Sequence, residues 1–163
     1  MRRTKEEAAE TRREVLRAAE ALFLDKGYEN VTLDEIAAAA GVTRGAVHWH
    51  FKNKQGLLFA IRDKAQQPFK ELAERIAEGH APNPLELVAE TISATFADLQ
   101  QEPRKRGLLK VIMYLDMAFC EEVADNANSF RHDMREHFAR IFHSMDAIRP
   151  LPPLGRQILP LPL

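Results

Sequence analysis

Apolar residues recur along most of the chain at spacings of three and four rather than two, so the pattern predicts helices throughout. Val15, Leu16, Ala19, Leu22 and Phe23 line one face of a first helix over residues 7–26, and Gly27 stands where a C-terminal cap belongs. Thr32 and Glu35 form a capping-box pattern with Val31 and Ile36 as its hydrophobic staple, which starts a second helix near Leu33 and ends it before Gly41. Val42, Thr43 and Val47 repeat that arrangement for a short third helix to about Phe51. Two short helices across a glycine turn read as a helix-turn-helix.

Asn53 caps a long fourth helix in which Leu57, Leu58, Ile61, Ala65, Phe69, Leu72 and Ile76 keep helical spacing to about Glu78, with Pro68 expected to kink it. Asn83, Pro84 and Glu86 open a fifth helix with Val88, Ile92, Phe96 and Leu99 inward. Beyond Pro103, the nearly all-round apolar stretch from Leu108 to Phe119 is expected at the centre of a second core. A last helix carries Phe130, Met134, Phe138, Ile141, Phe142 and Met145. The final segment, PLPPLGRQILPLPL, holds five prolines and five leucines without periodicity and predicts an extended tail. The expected architecture is all-α. A three-helix helix-turn-helix domain (1–53) is joined by a linking helix (54–78) to a helical domain (79–149), followed by the irregular tail (150–163).

Composition sharpens this picture in one place. The formal net charge of the 163 residues is −1, which argues against coating nucleic acid through bulk charge. Yet residues 36–62 contain no Asp or Glu, where the chain average would give about four, and they hold Arg44, Lys52, Lys54, Arg62, His48, His50 and the single tryptophan, Trp49. A locally de-acidified stretch inside a neutral chain suits a polyanion-binding surface. The predicted starts of helices three and four lack first-turn acids, which leaves two neighbouring anion-attracting helix ends beside Arg44 and Lys54. Arg44 suits a guanine edge, whereas Thr43, His48, His50 and Lys54 suit phosphate oxygens. Gly45 serves either close approach to a groove or a tight contact with another helix. Trp49 either stacks on the sugar-phosphate backbone or, at least as readily, packs between helices. Arg2, Arg3 and Lys5 offer a minor-groove arm, although an untethered charged terminus is the commoner case.

The run TLDEIAAAAGVTRGAVHWHFKNKQGLL, residues 32–58, strongly resembles the N-terminal DNA-binding domain of TetR-family transcriptional repressors. Taken with the opening RRTKEEAAETR, it is similar to the AcrR-like branch, whose members repress multidrug efflux operons. The resemblance implies a DNA-contacting set of Thr32, Thr43, Arg44, Gly45, Ala46, His48, Trp49, His50 and Lys54 on double-stranded operator DNA. His48 departs from the family's usual tyrosine, and an imidazole on a phosphate should strengthen binding as the pH falls. The resemblance further implies a homodimer and a C-terminal pocket for a small hydrophobic effector, for which Phe96, Met113, Tyr114, Met117, Phe119, Phe130 and Phe138 are candidates, each also readable as ordinary core. Family members continue into helices that form a four-helix dimer interface. Here the proline- and leucine-rich segment stands instead, so the expectation is either a truncated or frameshifted product or dimerisation through another surface.

Other classes fare less well. His48 with His50, or His132, Asp133, Glu136 and His137, are conceivable metal ligands. No HExxH pattern, paired cysteines or Gly-rich phosphate loop accompanies them, so neither an enzyme nor a metal or other cofactor is expected. The lone Cys120 excludes an intramolecular disulfide and reads as a structural thiol rather than a redox sensor. The charged N-terminus and short apolar runs predict a cytoplasmic protein without a membrane span. A small-molecule-binding or interaction module without regulatory DNA function is the remaining competitor.

Overall fold

The computed structural model describes residues 4–118, 129–148 and 150, all of whose regular elements are helical: α1 (Lys5–Lys26), α2 (Leu33–Ala39), α3 (Arg44–Phe51), α4 (Lys54–Ala77), α5 (Pro84–Gln101), α6 (Pro103–Ala118) and α7 (Phe130–Ile148). The expected arm residues Arg2 and Arg3, Cys120, Phe119 and the tail beyond Pro150 lie outside the described residues, while Lys5 is the first residue of α1.

Side-chain caps set the helix starts. Thr4 opens α1 with a capping box to Glu7, two residues earlier than the apolar pattern indicates. Thr32 and Glu35 repeat the device at α2. Glycine ends α1 and turns α2 into α3, with φ of +79° at Gly27 and +65° at Gly41, values that cost a residue with a Cβ much more.

Glu35 gathers three contacts at the head of α2: Lys26 Nζ at 2.7 Å, the Thr32 backbone N–H at 2.9 Å and the Thr32 hydroxyl at 2.9 Å. The Lys26 hydrogen bond first, and then those from Thr32, pull its carboxyl from 4.5 down to about 2. A lowered folded-state value means the charge contributes stability above the ordinary carboxylate range and loses that contribution as the pH falls through the folded value. We therefore expect the melting-temperature gap between the protein and Glu35→Gln to close between pH 4.5 and about 2. A gap of constant size across that range would contradict the assignment.

The chain divides into two compact units, Met1–Ala65 with Glu102–Leu115, and Gln66–Gln101 with Asp116–Leu163, so α4 and α6 each contribute residues to both. In the first, Val15, Ala19, Phe23, Val31, Ile36, Val47, Phe51 and Leu57 are buried, which places the predicted inner faces of α1 to α4 together. The first part of α6 joins this unit through Ile112 and Leu115, and Gly107 lies so close to Leu24 that an added Cβ would come within 2.5 Å of Leu24 Cδ2. The expectation that this helix centres the second core is therefore corrected. Its outer face exposes Met113, Tyr114 and Met117, and Pro103 is its first residue, a position that needs no backbone N–H.

In the first unit a carboxylate lies on the apolar face of α1. The Glu20 side chain is 6% exposed and meets Lys64 Nζ of α4 at 2.9 Å and Arg104 Nη2 of α6 at 3.3 Å. Arg104 also donates to the Arg17 carbonyl at 3.0 Å.

The second unit is built around Leu72, Ala73, Ile76, Ala81, Ile141 and Met145, with Leu87, Val88, Phe138 and Phe142 against them. Phe69, Phe138 and Phe142 form a ring series with centroids 5.4 and 6.4 Å apart. The start of α7 is held by Ser129 Oγ on the His132 N–H at 3.0 Å and by Asp116, whose Oδ1 accepts from the Phe130 N–H at 2.7 Å. Helix α5 buries no residue completely, and Phe96, expected to point inward, is 63% exposed.

Candidate nucleic-acid interface

The local sequence explains why α3 presents its polar side outward. Val47 and Phe51, four residues apart, are 0% and 5% exposed and hold the helix against the core. Thr43, Arg44, Gly45, His48 and Trp49 are then left exposed, with Ala46 and His50 half-buried. Trp49 is 73% exposed and meets His50 edge to face at 4.5 Å. The interhelical packing reading of the tryptophan is thereby removed.

The starts of α3 and α4 carry no acid in their first turns. Thr43 Oγ1 accepts from the Ala46 N–H at 3.2 Å, and Asn53 Oδ1 from the Gly56 N–H at 2.8 Å, so each start keeps one polar cap without a negative charge. This leaves the partial positive charge of both ends uncancelled. A Cβ built on Gly45 finds only Thr43 Oγ1, at an ordinary 3.8 Å, so no contact within the described chain demands glycine there.

Other side chains of the predicted set have definite partners. Arg44 Nη1 meets Asp34 Oδ2 at 3.1 Å, an exposed ion pair between the heads of α3 and α2 that the sequence reading missed. Lys54 Nζ donates to the carbonyls of Tyr28 at 2.8 Å and Glu29 at 3.2 Å, and sits 4.5 Å from the centre of the Tyr28 ring. That lysine ties the head of α4 to the α1–α2 turn. The Thr32 hydroxyl accepts from the Glu35 N–H and donates to the Glu35 carboxylate, so it belongs to the cap of α2. Arg12, absent from the predicted set, spreads over the Phe51 ring at 4.9 Å beside the end of α3.

The six effector candidates within the described residues fall in both units, Met113 and Tyr114 in the first and Phe96, Met117, Phe130 and Phe138 in the second. Phe138 belongs to the second core, Phe96, Met113 and Met117 are exposed, Phe130 is half-buried, and Tyr114 lines a cavity in the first unit. Among the described residues no group of three or more His, Cys, Asp or Glu could hold a metal ion, and no helix is long and apolar enough to cross a membrane. Of the conceivable ligands on α7, His132 Nδ1 meets Arg135 at 3.3 Å and Asp133 receives the Gln66 amide at 3.2 Å.

This geometry has counterparts in known proteins. The family model of bacterial regulatory proteins of the tetR family matches residues 15–61, which run from the middle of α1 into the first third of α4. The HTH-type transcriptional repressor BepR of Brucella suis biovar 1 (strain 1330) is 41% identical over 127 residues, 78% of this chain and 59% of BepR. The chain thus spans little more than half the length of that relative. Among solved structures, SmeT, the repressor of the Stenotrophomonas maltophilia multidrug efflux pump SmeDEF, aligns with a TM-score of 0.64 at 30% identity over 85% of this chain and 66% of its own. SmeT has also been solved as a complex with triclosan. NalD, the secondary repressor of the MexAB-OprM multidrug efflux pump in Pseudomonas aeruginosa, aligns with a TM-score of 0.62 at 31% identity over 94% of this chain and 73% of its own. With the motif, the helix-turn-helix geometry and the match to NalD in agreement, this chain belongs to the TetR family of bacterial regulatory proteins.

Proposed function

We propose that the chain is a ligand-responsive transcriptional repressor that binds a palindromic operator as a homodimer and governs a multidrug efflux operon, with a small hydrophobic effector releasing it from DNA. The observation that carries this reading is α3 itself. Its inner face is locked by Val47 and Phe51, while Thr43, Arg44, Gly45, His48 and a 73% exposed Trp49 project from a helix pair whose first turns hold no carboxylate.

In this reading Arg44 inspects a guanine edge, Gly45 and Ala46 allow close approach to the groove, and Thr43, His48, His50 and Trp49 hold the sugar-phosphate backbone. Lys54 and Thr32 act mainly by positioning, since their polar groups fasten the heads of α4 and α2. One recognition helix covers one half-site, so a palindrome needs two copies set about a helical turn apart or a multiple of it. What SmeT and NalD control, and the triclosan complex of SmeT, support the efflux operon and the effector in this proposal. Exposed Leu85 and Phe96 on α5 supply apolar surface that an effector or a second subunit would cover.

The test is fluorescence anisotropy of the chain against a duplex taken from its own upstream DNA, titrated with salt. Affinity should fall steeply as salt rises. Arg44→Ala should weaken operator binding by about 1–3 kcal/mol while binding to scrambled duplex changes much less. His48→Tyr should bind as well as the parent at neutral pH. Absence of binding at low ionic strength would sink the repressor reading.

A further inference from the structure

The first unit contains a cavity of about 340 Å³ at the seam between the α1–α2 turn and α6, lined by residues 27–30 on one side and by Lys110, Val111, Tyr114 and Leu115 on the other. Its size is at the lower end of the roughly 300–1,000 Å³ typical of small-molecule sites, room for about two fused rings. Most of the wall is apolar: the buried Tyr28 and Leu115, Val111 and the 70% exposed Tyr114. Such a wall favours a flat aromatic body.

The charges around it have a sign. Lys110 is exposed and pairs with no carboxylate among the described residues, and Glu29 is the one acid in the lining. A second cation stands behind the wall, because Lys54 Nζ rests on the Tyr28 ring and on the Tyr28 and Glu29 carbonyls. Burial, and then the Glu29 charge, push the Tyr28 phenol upward, so it remains a neutral hydroxyl. Two ammonium groups against one carboxylate leave a positive balance.

We propose that this seam is a binding site for a small planar aromatic acid, with the rings between Tyr28 and Tyr114 and the acid group on Lys110. The site lies wholly within the helix-turn-helix unit and contains only Tyr114 of the residues expected to line an effector pocket. Its walls include Tyr28 and Glu29, the residues whose carbonyls hold Lys54, so an occupant packs against the residues that fasten α4.

The experiment is an NMR titration of backbone amides in the intact chain with naphthoate, and with naphthamide and naphthylmethylammonium as neutral and cationic counterparts. Naphthoate should shift the amides of residues 27–30 and 110–115 and saturate below roughly 1 mM, a modest affinity. Naphthamide on the parent and naphthoate on Lys110→Ala should each bind about tenfold more weakly, the loss of one charge-assisted contact. Val111→Trp, which fills the cavity, should abolish the shifts. Lys110→Ala, at an exposed position, keeps the test decisive where the tryptophan disturbs folding. Shifts absent at millimolar ligand, or confined to residues 66–101 and 129–148, would overturn the site. Equal affinity for naphthoate and naphthamide would overturn its preference for an acid. No DNA enters the measurement, so failure here is separate from failure of the repressor reading.

Discussion

Gly56→Ala should unfold the helix-turn-helix unit at a temperature roughly 10–20 °C lower than the parent, a loss of about 3 kcal/mol or more. The cause is the turn between α3 and α4. Lys52 adopts a φ of +62°, the one positive value outside glycine among the described residues, and Asn53 donates its N–H to the Phe51 carbonyl at 2.7 Å. This folds the end of α3 over the third residue of α4, so a methyl on Gly56 would run into the Phe51 carbonyl oxygen and carbon. Backbone cannot rotate out of the way as a side chain can, so the turn itself must open. Gly45→Ala makes the contrast. Its methyl meets only Thr43 Oγ1 at an ordinary 3.8 Å, and a better helix former in α3 should hold or raise stability by up to about 1 kcal/mol. Thermal melts followed by circular dichroism separate the two, and an unchanged melt for Gly56→Ala would refute the described turn.

The second large effect concerns Glu20. Its side chain is 6% exposed, whereas Lys64 and Arg104 are 67% and 44% exposed, so the partners are unequally dependent on one another. Remove the carboxylate charge and both cations still reach water. Remove both cations and a buried carboxylate is left without compensation, the costly half of any buried ion pair. Lys64→Met with Arg104→Met should therefore cost about 2–4 kcal/mol, and Glu20→Gln only about 1 kcal/mol. Urea unfolding midpoints read the order directly. If Glu20→Gln proves the more damaging change, the cluster does not act as a charge clamp among α1, α4 and α6.

Much of the fold was legible because caps and apolar spacing are local signals. Thr32 with Glu35, Thr43, and Asn53 mark helix starts in the structure as they do in the sequence. Thr4 with Glu7 spells the same box, but the charged stretch after it lacks the periodicity that would have drawn attention to it. Helix α6 was misplaced for the opposite reason. A helix apolar nearly all round has no sequence-visible face, and its seat is decided by Gly107 against Leu24 and by Arg104 reaching back to Arg17 and Glu20. Glu20 did carry a signal, an acid in register with Leu16 and Phe23 on a buried face.

At the candidate interface, exposure on α3 was readable from Val47 and Phe51 alone. The partners of Lys54 and Arg44 were not, because they lie 26 and 10 residues away and a long cationic side chain can swing toward any nearby acceptor. The outward tryptophan was equally undetermined, since an indole suits a core or a surface.

The Arg44–Asp34 pair has a consequence for the proposed contact with DNA. With side chains 68% and 64% exposed, the pair holds by about 0–1 kcal/mol, too little to lock the guanidinium. In the proposed complex, a duplex that engages Arg44 first has to displace the chain's own carboxylate from it. A phosphate and a guanine edge can each accept two hydrogen bonds from a guanidinium, so the same small cost of freeing Arg44 falls on either. Under the proposed reading the pair is therefore a uniform cost on any contact made through Arg44, one that lowers affinity slightly without choosing among sequences.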